Sequence, residues 1–170
     1  MRLQPNPDVQ GLRPHGFTLV EILAVVVIIA IAAAMVVPRL GSTGDVQALA
    51  AMQVTVANIQ YAQNEAIVLQ SPITVAFDVD ADSYVLNDAN GTPLKHPTTK
   101  WDFRVPIRAT RGTNQVDLMT ASFNGQPDLT FDTLGAPAQG GTITLGAEGF
   151  TYRLDVAPVT GKITVTRTGL

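Results

Sequence analysis

The chain has 170 residues, room for one helix and one modest globular domain but not for two independent domains. Its formal net charge is -3, from 11 Lys and Arg against 14 Asp and Glu, which excludes a broadly basic nucleic-acid surface. Cysteine is absent, so an exported domain must be stabilised by its core and sheet and not by disulfides.

Residues 1–16 form a short polar leader carrying Arg2 and Arg13, which the positive-inside rule keeps on the cytoplasmic side. An apolar run follows from Phe17 to Val37, broken only by Thr18 and Glu21. At a rise of 1.5 Å per residue it suffices for a hydrocarbon core of roughly 30 Å, so the expectation is one transmembrane helix over 17–37. Everything after Arg39 then faces the periplasm. Ala24, Ala30, Ala32, Ala33 and Ala34 would let such helices approach one another closely; an ordinary lipid anchor is the plainer reading of the same residues. Glu21 is the oddity, because an acid at the centre of a membrane helix costs roughly 2.5–3.5 kcal/mol. It needs either a partner or a route to the headgroups. A secretory signal has its small-residue cleavage site after the apolar core. Here the small residue, Gly16, precedes it, so a cut at Gly16 would leave the apolar helix on the mature protein with Phe17 first.

Gly16-Phe17-Thr18-Leu19-Val20-Glu21, with the apolar run behind it, resembles the processing site of type IV prepilins and type II secretion pseudopilins. The resemblance implies a filament subunit and no enzyme or cofactor. Gly16 matches the residue before the cut made by the membrane prepilin peptidase, and Phe17 the N-terminus that is then methylated. Glu21 matches the acid that meets a neighbouring subunit's N-terminal ammonium in the filament, and Pro38 the helix-kinking proline. The implied partners are the peptidase, other pilin or pseudopilin subunits, an inner-membrane assembly platform, and lipid before assembly.

Pro38, Gly41 and Gly44 weaken helix between 38 and 44. From Asp45 the helical period resumes, with Leu49, Met52, Val56, Ile59, Ala66 and Leu69 opposite Gln47, Gln53, Asn58, Gln60 and Asn64. Ser42, Thr43 or Asp45 is the expected cap, and Ser71-Pro72 the stop, giving a kinked, amphipathic continuation over 38–70 whose apolar stripe packs on a sheet. After Pro72 the period changes to two. Ile73–Phe77 and Tyr84–Leu86 read as a hairpin through Asp78–Ser83, and Asn90-Gly91 as a turn. Further strands are expected at Phe103–Ile107, Gln115–Leu118, Leu129–Phe131, Thr142–Leu145, Tyr152–Val156 and Ile163–Thr166. The fold class is therefore α+β: a long N-terminal helix, transmembrane in its first half and amphipathic in its second, packed on an antiparallel β-sheet domain over 72–170, which the resemblance implies is pilin-like.

The run from Phe131 to Gly135, then Gly141–Leu145, Tyr152–Val156 and Thr160–Val165, resembles the C-terminal pattern of the minor pseudopilin H and FimT group. That implies a minor pseudopilin of a type II secretion system; the alternative is a FimT-like minor type IV pilin in pilus assembly or DNA uptake. Lys162 and Arg167, with Arg153 nearby, are the candidate nucleic-acid contacts, but so few cations release few counterions, and a solvated strand face is the better reading. Asp78, Asp80 and Asp82 have the odd-position acids of a calcium loop without its sixth-position glycine or twelfth-position acid, so a polar hairpin is favoured over a metal site. His96 has no second periplasmic histidine or cysteine with which to hold zinc.

Overall fold

A computed structural model describes residues 17–36 and 43–169 of the chain. It divides into two units, split between Leu40 and Gly41.

In the first unit, α1 (Leu19–Val36) is 18 residues long, almost wholly apolar, with Glu21 in its first turn. Eighteen residues reach about 27 Å at 1.5 Å per residue, a little short of the hydrocarbon core. Among the described residues no helix is long and apolar enough to cross a membrane; the expected span of 17–37 runs one residue beyond them.

The second unit is built on α2 (Thr43–Leu69). Gly44, Ala48, Ala51, Met52, Thr55, Ile59, Ala62 and Ala66 recur at three- and four-residue spacing and are buried. This stripe is narrower and made of smaller side chains than the sequence suggests: Leu49 and Leu69 are exposed, and Gln47, expected on the polar face, is buried. Alanines let the helix axis lie close to the sheets, and the larger side chains at the margins stay outside. At its C-terminus Gln70 adopts φ 48°. The Ser71 N–H bonds the Ala66 carbonyl at 3.2 Å and the Gln70 N–H that of Ile67 at 3.4 Å, a Schellman ending that Pro72 prevents from continuing.

Eight strands follow: β1 (Ile73–Asp78), β2 (Ser83–Asn87), β3 (Arg104–Pro106), β4 (Asp117–Ser122), β5 (Asp128–Phe131), β6 (Gly141–Ala147), β7 (Phe150–Val156) and β8 (Ile163–Arg167). They form two four-stranded sheets, in the orders β3-β2-β1-β5 and β4-β6-β7-β8, antiparallel at every pairing. The expected hairpin is present, with Asp78 opposite Ser83. The strand expected at Gln115–Leu118 instead begins at Asp117, because Gln115 is held by α2 and Val116 closes a turn back to Thr113.

Alternation places Ile73, Val75 and Phe77 of β1 inward. They meet Leu129 and Phe131 from β5, Leu145 and Leu154 from the second sheet, and the small face of α2 in a continuous core. Each fully buried leucine contributes about 1.5–3 kcal/mol relative to exposure. Among the described residues every buried side-chain nitrogen or oxygen has a hydrogen-bond partner. Tyr84 shows how: its ring is in the core while its hydroxyl receives a 2.7 Å hydrogen bond from the Asn58 amide. Burial, only partly offset by hydrogen bonds from Asn58 and Thr55, raises the pKa of its phenol above the ordinary 10.0.

Candidate assembly surfaces

The N-terminal surface starts from Thr18, whose hydroxyl accepts the Glu21 N–H at 3.2 Å and whose carbonyl accepts those of Glu21 at 3.1 Å and Ile22 at 3.2 Å. This caps the helix and leaves the Glu21 carboxylate in the first turn, where the positive end of the helix dipole favours an anion. Phe17 is 77% exposed, and the apolar side chains of α1 from Leu19 to Ile31 are likewise uncovered. Apolar exposure this extensive, broken in α1 by Glu21 alone among the charged residue types, marks a surface built for lipid or another protein. Ala24, Ala30, Ala32 and Ala33 lie exposed on it. Gly16 and Pro38, and with them the cleavage and kink positions, lie outside the described residues, as do Ser42 and the side chain of Ala34.

The second unit fastens the start of α2 to the β6–β7 hairpin. The Gly44 N–H donates to Glu148 Oε2 at 3.1 Å, so the helix is capped by a carboxylate about a hundred residues away and not by the expected Thr43 or Asp45. Gly44 is not a weak point here. A Cβ on it would lie 2.7 Å from Glu148 Cβ and 3.0 Å from the Ala147 carbonyl, so the close approach requires glycine. The Tyr152 hydroxyl donates to Asp45 Oδ1 at 2.8 Å, and Arg167 Nη1 stands 3.8 Å from Asp45 Oδ2. The hydrogen bond to Asp45, then burial, raises the Tyr152 phenol pKa, while Arg167 opposes the shift. One turn along, Gln47 and Gln115 exchange two hydrogen bonds of 3.1 Å, which is why Gln47 is buried. Farther along, Gln63 Nε2 bonds the Gly135 carbonyl at 2.7 Å, pinning the β5–β6 loop to the helix. None of these long-range partners has a local sequence signal.

Of the candidate nucleic-acid contacts, Lys162 and Arg153 share one face of the second sheet and Arg167 lies on the other. Arg167 reaches toward Asp45, its guanidinium lies 5.0 Å from the Phe150 ring centre, and its Nε bonds the Gly169 carbonyl at 3.2 Å. Arg153 is paired with Asp155 at 2.6 Å. Lys162 lies beside the same Asp155 and Thr164, on the face opposite Arg167, as strand alternation from Lys162 to Arg167 requires. In the acidic hairpin, Asp78 Oδ1 accepts the Ala81 N–H at 2.9 Å, whereas Asp82 Oδ1 accepts the Leu118 N–H at 2.8 Å and its Oδ2 pairs with Arg108 at 3.0 Å. Two of the three carboxylates are thus committed to the fold, and among the described residues no group of three or more His, Cys, Asp or Glu side chains is placed to hold a metal. His96 packs edge-on against Phe103, 4.6 Å between ring centres, and its Nδ1 accepts the N–H of Thr98 at 3.2 Å.

The family model for type II transport protein GspH matches residues 51–161, well over half of the chain and nearly all of the sheet-bearing unit. The chain belongs to the GspH family. The prokaryotic N-terminal methylation motif matches residues 12–37, covering the leader junction and α1. Among solved structures, the chain is similar to the minor pseudopilin EpsH from the type 2 secretion system of Vibrio cholerae, at 15% identity and a TM-score of 0.54, over 71% of this chain and 97% of that one. It is also similar to the type IV minor pilin FimU of Pseudomonas aeruginosa, at 18% identity and a TM-score of 0.51, over 72% of this chain and 92% of that one. Identities this low establish the shared α+β fold. Among curated proteins no sequence matches. The GspH family and its fold are those of structural pilin-like subunits.

Proposed function

We propose that this GspH-family chain is a minor pseudopilin of a type II secretion system, cut between Gly16 and Phe17 by prepilin peptidase and methylated on the Phe17 amine. The observation that carries the reading is the co-occurrence, in one chain, of the methylation motif over 12–37 and the GspH match over 51–161. The residues from 17 to 37 anchor the precursor in the inner membrane with the sheet-bearing unit in the periplasm. On assembly they leave lipid for the helix-packed filament interior. Glu21 then neutralises the Phe17 ammonium of a neighbour, a pairing both need because each is desolvated. Pro38 relaxes the helix where it leaves that interior. The sheet-bearing unit makes the contacts with other pseudopilins.

Its test is secretion. In a host lacking the gene, export of type II substrates falls to background and this chain restores it; unchanged export without the gene would sink the reading. The minor pilin alternative shares the N-terminal motif and has the FimU likeness behind it but no family match over the sheet-bearing unit, and Arg167 and Arg153 are already engaged by Asp45 and Asp155.

A further inference from the structure

Trp101 is the chain's single tryptophan. It is 78% exposed, in a domain whose other aromatic rings are mostly packed. Tryptophan is enriched at protein interfaces, where its large apolar ring and polar N–H are both used.

The loop that presents it is pre-shaped. Between β2 and β3 the chain folds into a tongue: the Leu94 N–H bonds the Leu86 carbonyl at 2.8 Å, and the Phe103 N–H bonds that of Leu94 at 2.7 Å. Lys95 bridges to Asp102 at 2.5 Å, and the His96 N–H bonds the Trp101 carbonyl at 2.8 Å. Lys100, immediately before the indole, has φ 64°, a conformation that costs a non-glycine residue energy and persists only where the surroundings enforce it. Ordering such a tip on binding therefore costs little further entropy.

Charge is concentrated in the same segment. Lys95, Lys100, Arg104, Arg108 and Arg111 fall within 95–111 of an otherwise acidic chain. Lys95 and Arg108 are paired with aspartates, whereas Lys100, Arg104 and Arg111 have no ion pair among the described residues. Trp101 and Arg104 border an open hollow of about 350 Å³ between the tongue and α2; Val54 and Val105 give it apolar lining, Asn58 and Asp102 polar lining, and the Asp102 carboxylate is paired with Lys95. Tryptophan and arginine are residue types enriched at the hot spots of protein interfaces. A nucleic-acid site would need a longer cationic track than this.

We infer that the β2–β3 tongue is a docking tip on which Trp101, Lys100 and Arg104 receive an acidic surface of another protein subunit, one of its apolar side chains entering the hollow beside Val54. The inference rests on the pseudopilin reading for the identity of the assembly. The cations choose the partner by complementary charge, and the indole and hollow hold it.

The experiment uses the full-length chain in a host lacking it, with export of type II substrates as readout. Trp101→Ala and the double reversal Lys100→Glu with Arg104→Glu each cut export on the order of tenfold or more, as loss of an interface hot spot does. Trp101→Phe retains a substantial part. The variants match the wild type in abundance and melting temperature, because the exposed indole packs against little. Export by Trp101→Ala equal to wild type overturns the docking tip while leaving the pseudopilin reading intact. A wild-type chain that fails to restore export overturns the pseudopilin reading and the inference resting on it. Loss of export matched by a fall in melting temperature makes Trp101 structural and also overturns it. The same indole reports on the competing partner class. Purified full-length chain in detergent, titrated with single-stranded DNA at physiological salt, shows no change in tryptophan emission; saturable quenching abolished by Arg104→Glu would replace the protein partner with a nucleic acid.

Discussion

α1 and the unit from Thr43 onward use apolar residues in opposite ways. In α1 they point outward on every described side, and among the described residues the support beyond its own helical bonds is the Thr18 cap. In the second unit a helix and two sheets enclose a continuous apolar core, and among the described residues every buried side-chain polar atom is satisfied. The second unit therefore carries its own stability, whereas α1 needs lipid or neighbouring subunits to cover it. Substitutions should separate the two cleanly.

The largest effect is expected at Glu21. Glu21→Leu removes the proposed partner of the neighbour's ammonium and abolishes incorporation into sheared filaments, scored by immunoblot, with the melting temperature of the periplasmic unit unchanged. Incorporation at the wild-type level would remove Glu21 from the assembly mechanism. Leu154→Ala should act the other way round, costing about 2–5 kcal/mol in denaturant unfolding of the second unit. Ile28→Ala on α1, by contrast, leaves that unfolding curve where it was; equal shifts would erase the distinction between the units. Gly44→Val forces its Cβ into Glu148 and the Ala147 carbonyl, costing about 1–3 kcal/mol by the same measurement. Tyr152→Phe removes one hydrogen bond to a carboxylate that still has Arg167 nearby, and about 1 kcal/mol should be lost.

The smallest effect is a pH dependence. Both Tyr84 and Tyr152 have raised phenol pKa values, so the fold favours their neutral forms. Their contribution is complete below the unfolded value near 10 and declines as pH rises from there through the folded values. Stability should be level with respect to these groups at neutral pH and fall above about pH 10. Tyr84→Phe should flatten that alkaline decline, and an unchanged slope would assign it to other groups.

Much of this architecture is legible in the sequence because it is local. Alternation from Ile73 and Ile163 marks strands, Ser71-Pro72 marks the end of α2, and the Gly16 to Glu21 hexapeptide carries the processing motif. What escapes is long-range. Leu49 and Leu69 fit the helical period as well as Met52 does, but only packing decides that the small-residue face turns inward. Gln47 looks like a surface residue until Gln115 arrives opposite it, and that same contact delays β4 to Asp117. Gly44 reads as a helix breaker until Glu148 is brought against it. A lone tryptophan in a polar loop gives no hint of whether it points in or out, and the tongue's hydrogen bonds alone explain its display.

The central claim is that the exposed helix is kept on a processed, filament-forming subunit. Intact mass spectrometry of the protein purified from cells with active prepilin peptidase tests it most directly. The account predicts a chain that begins at Phe17 and carries one added methyl group on its amine. A chain still starting at Met1, or cut after the apolar run, would contradict it.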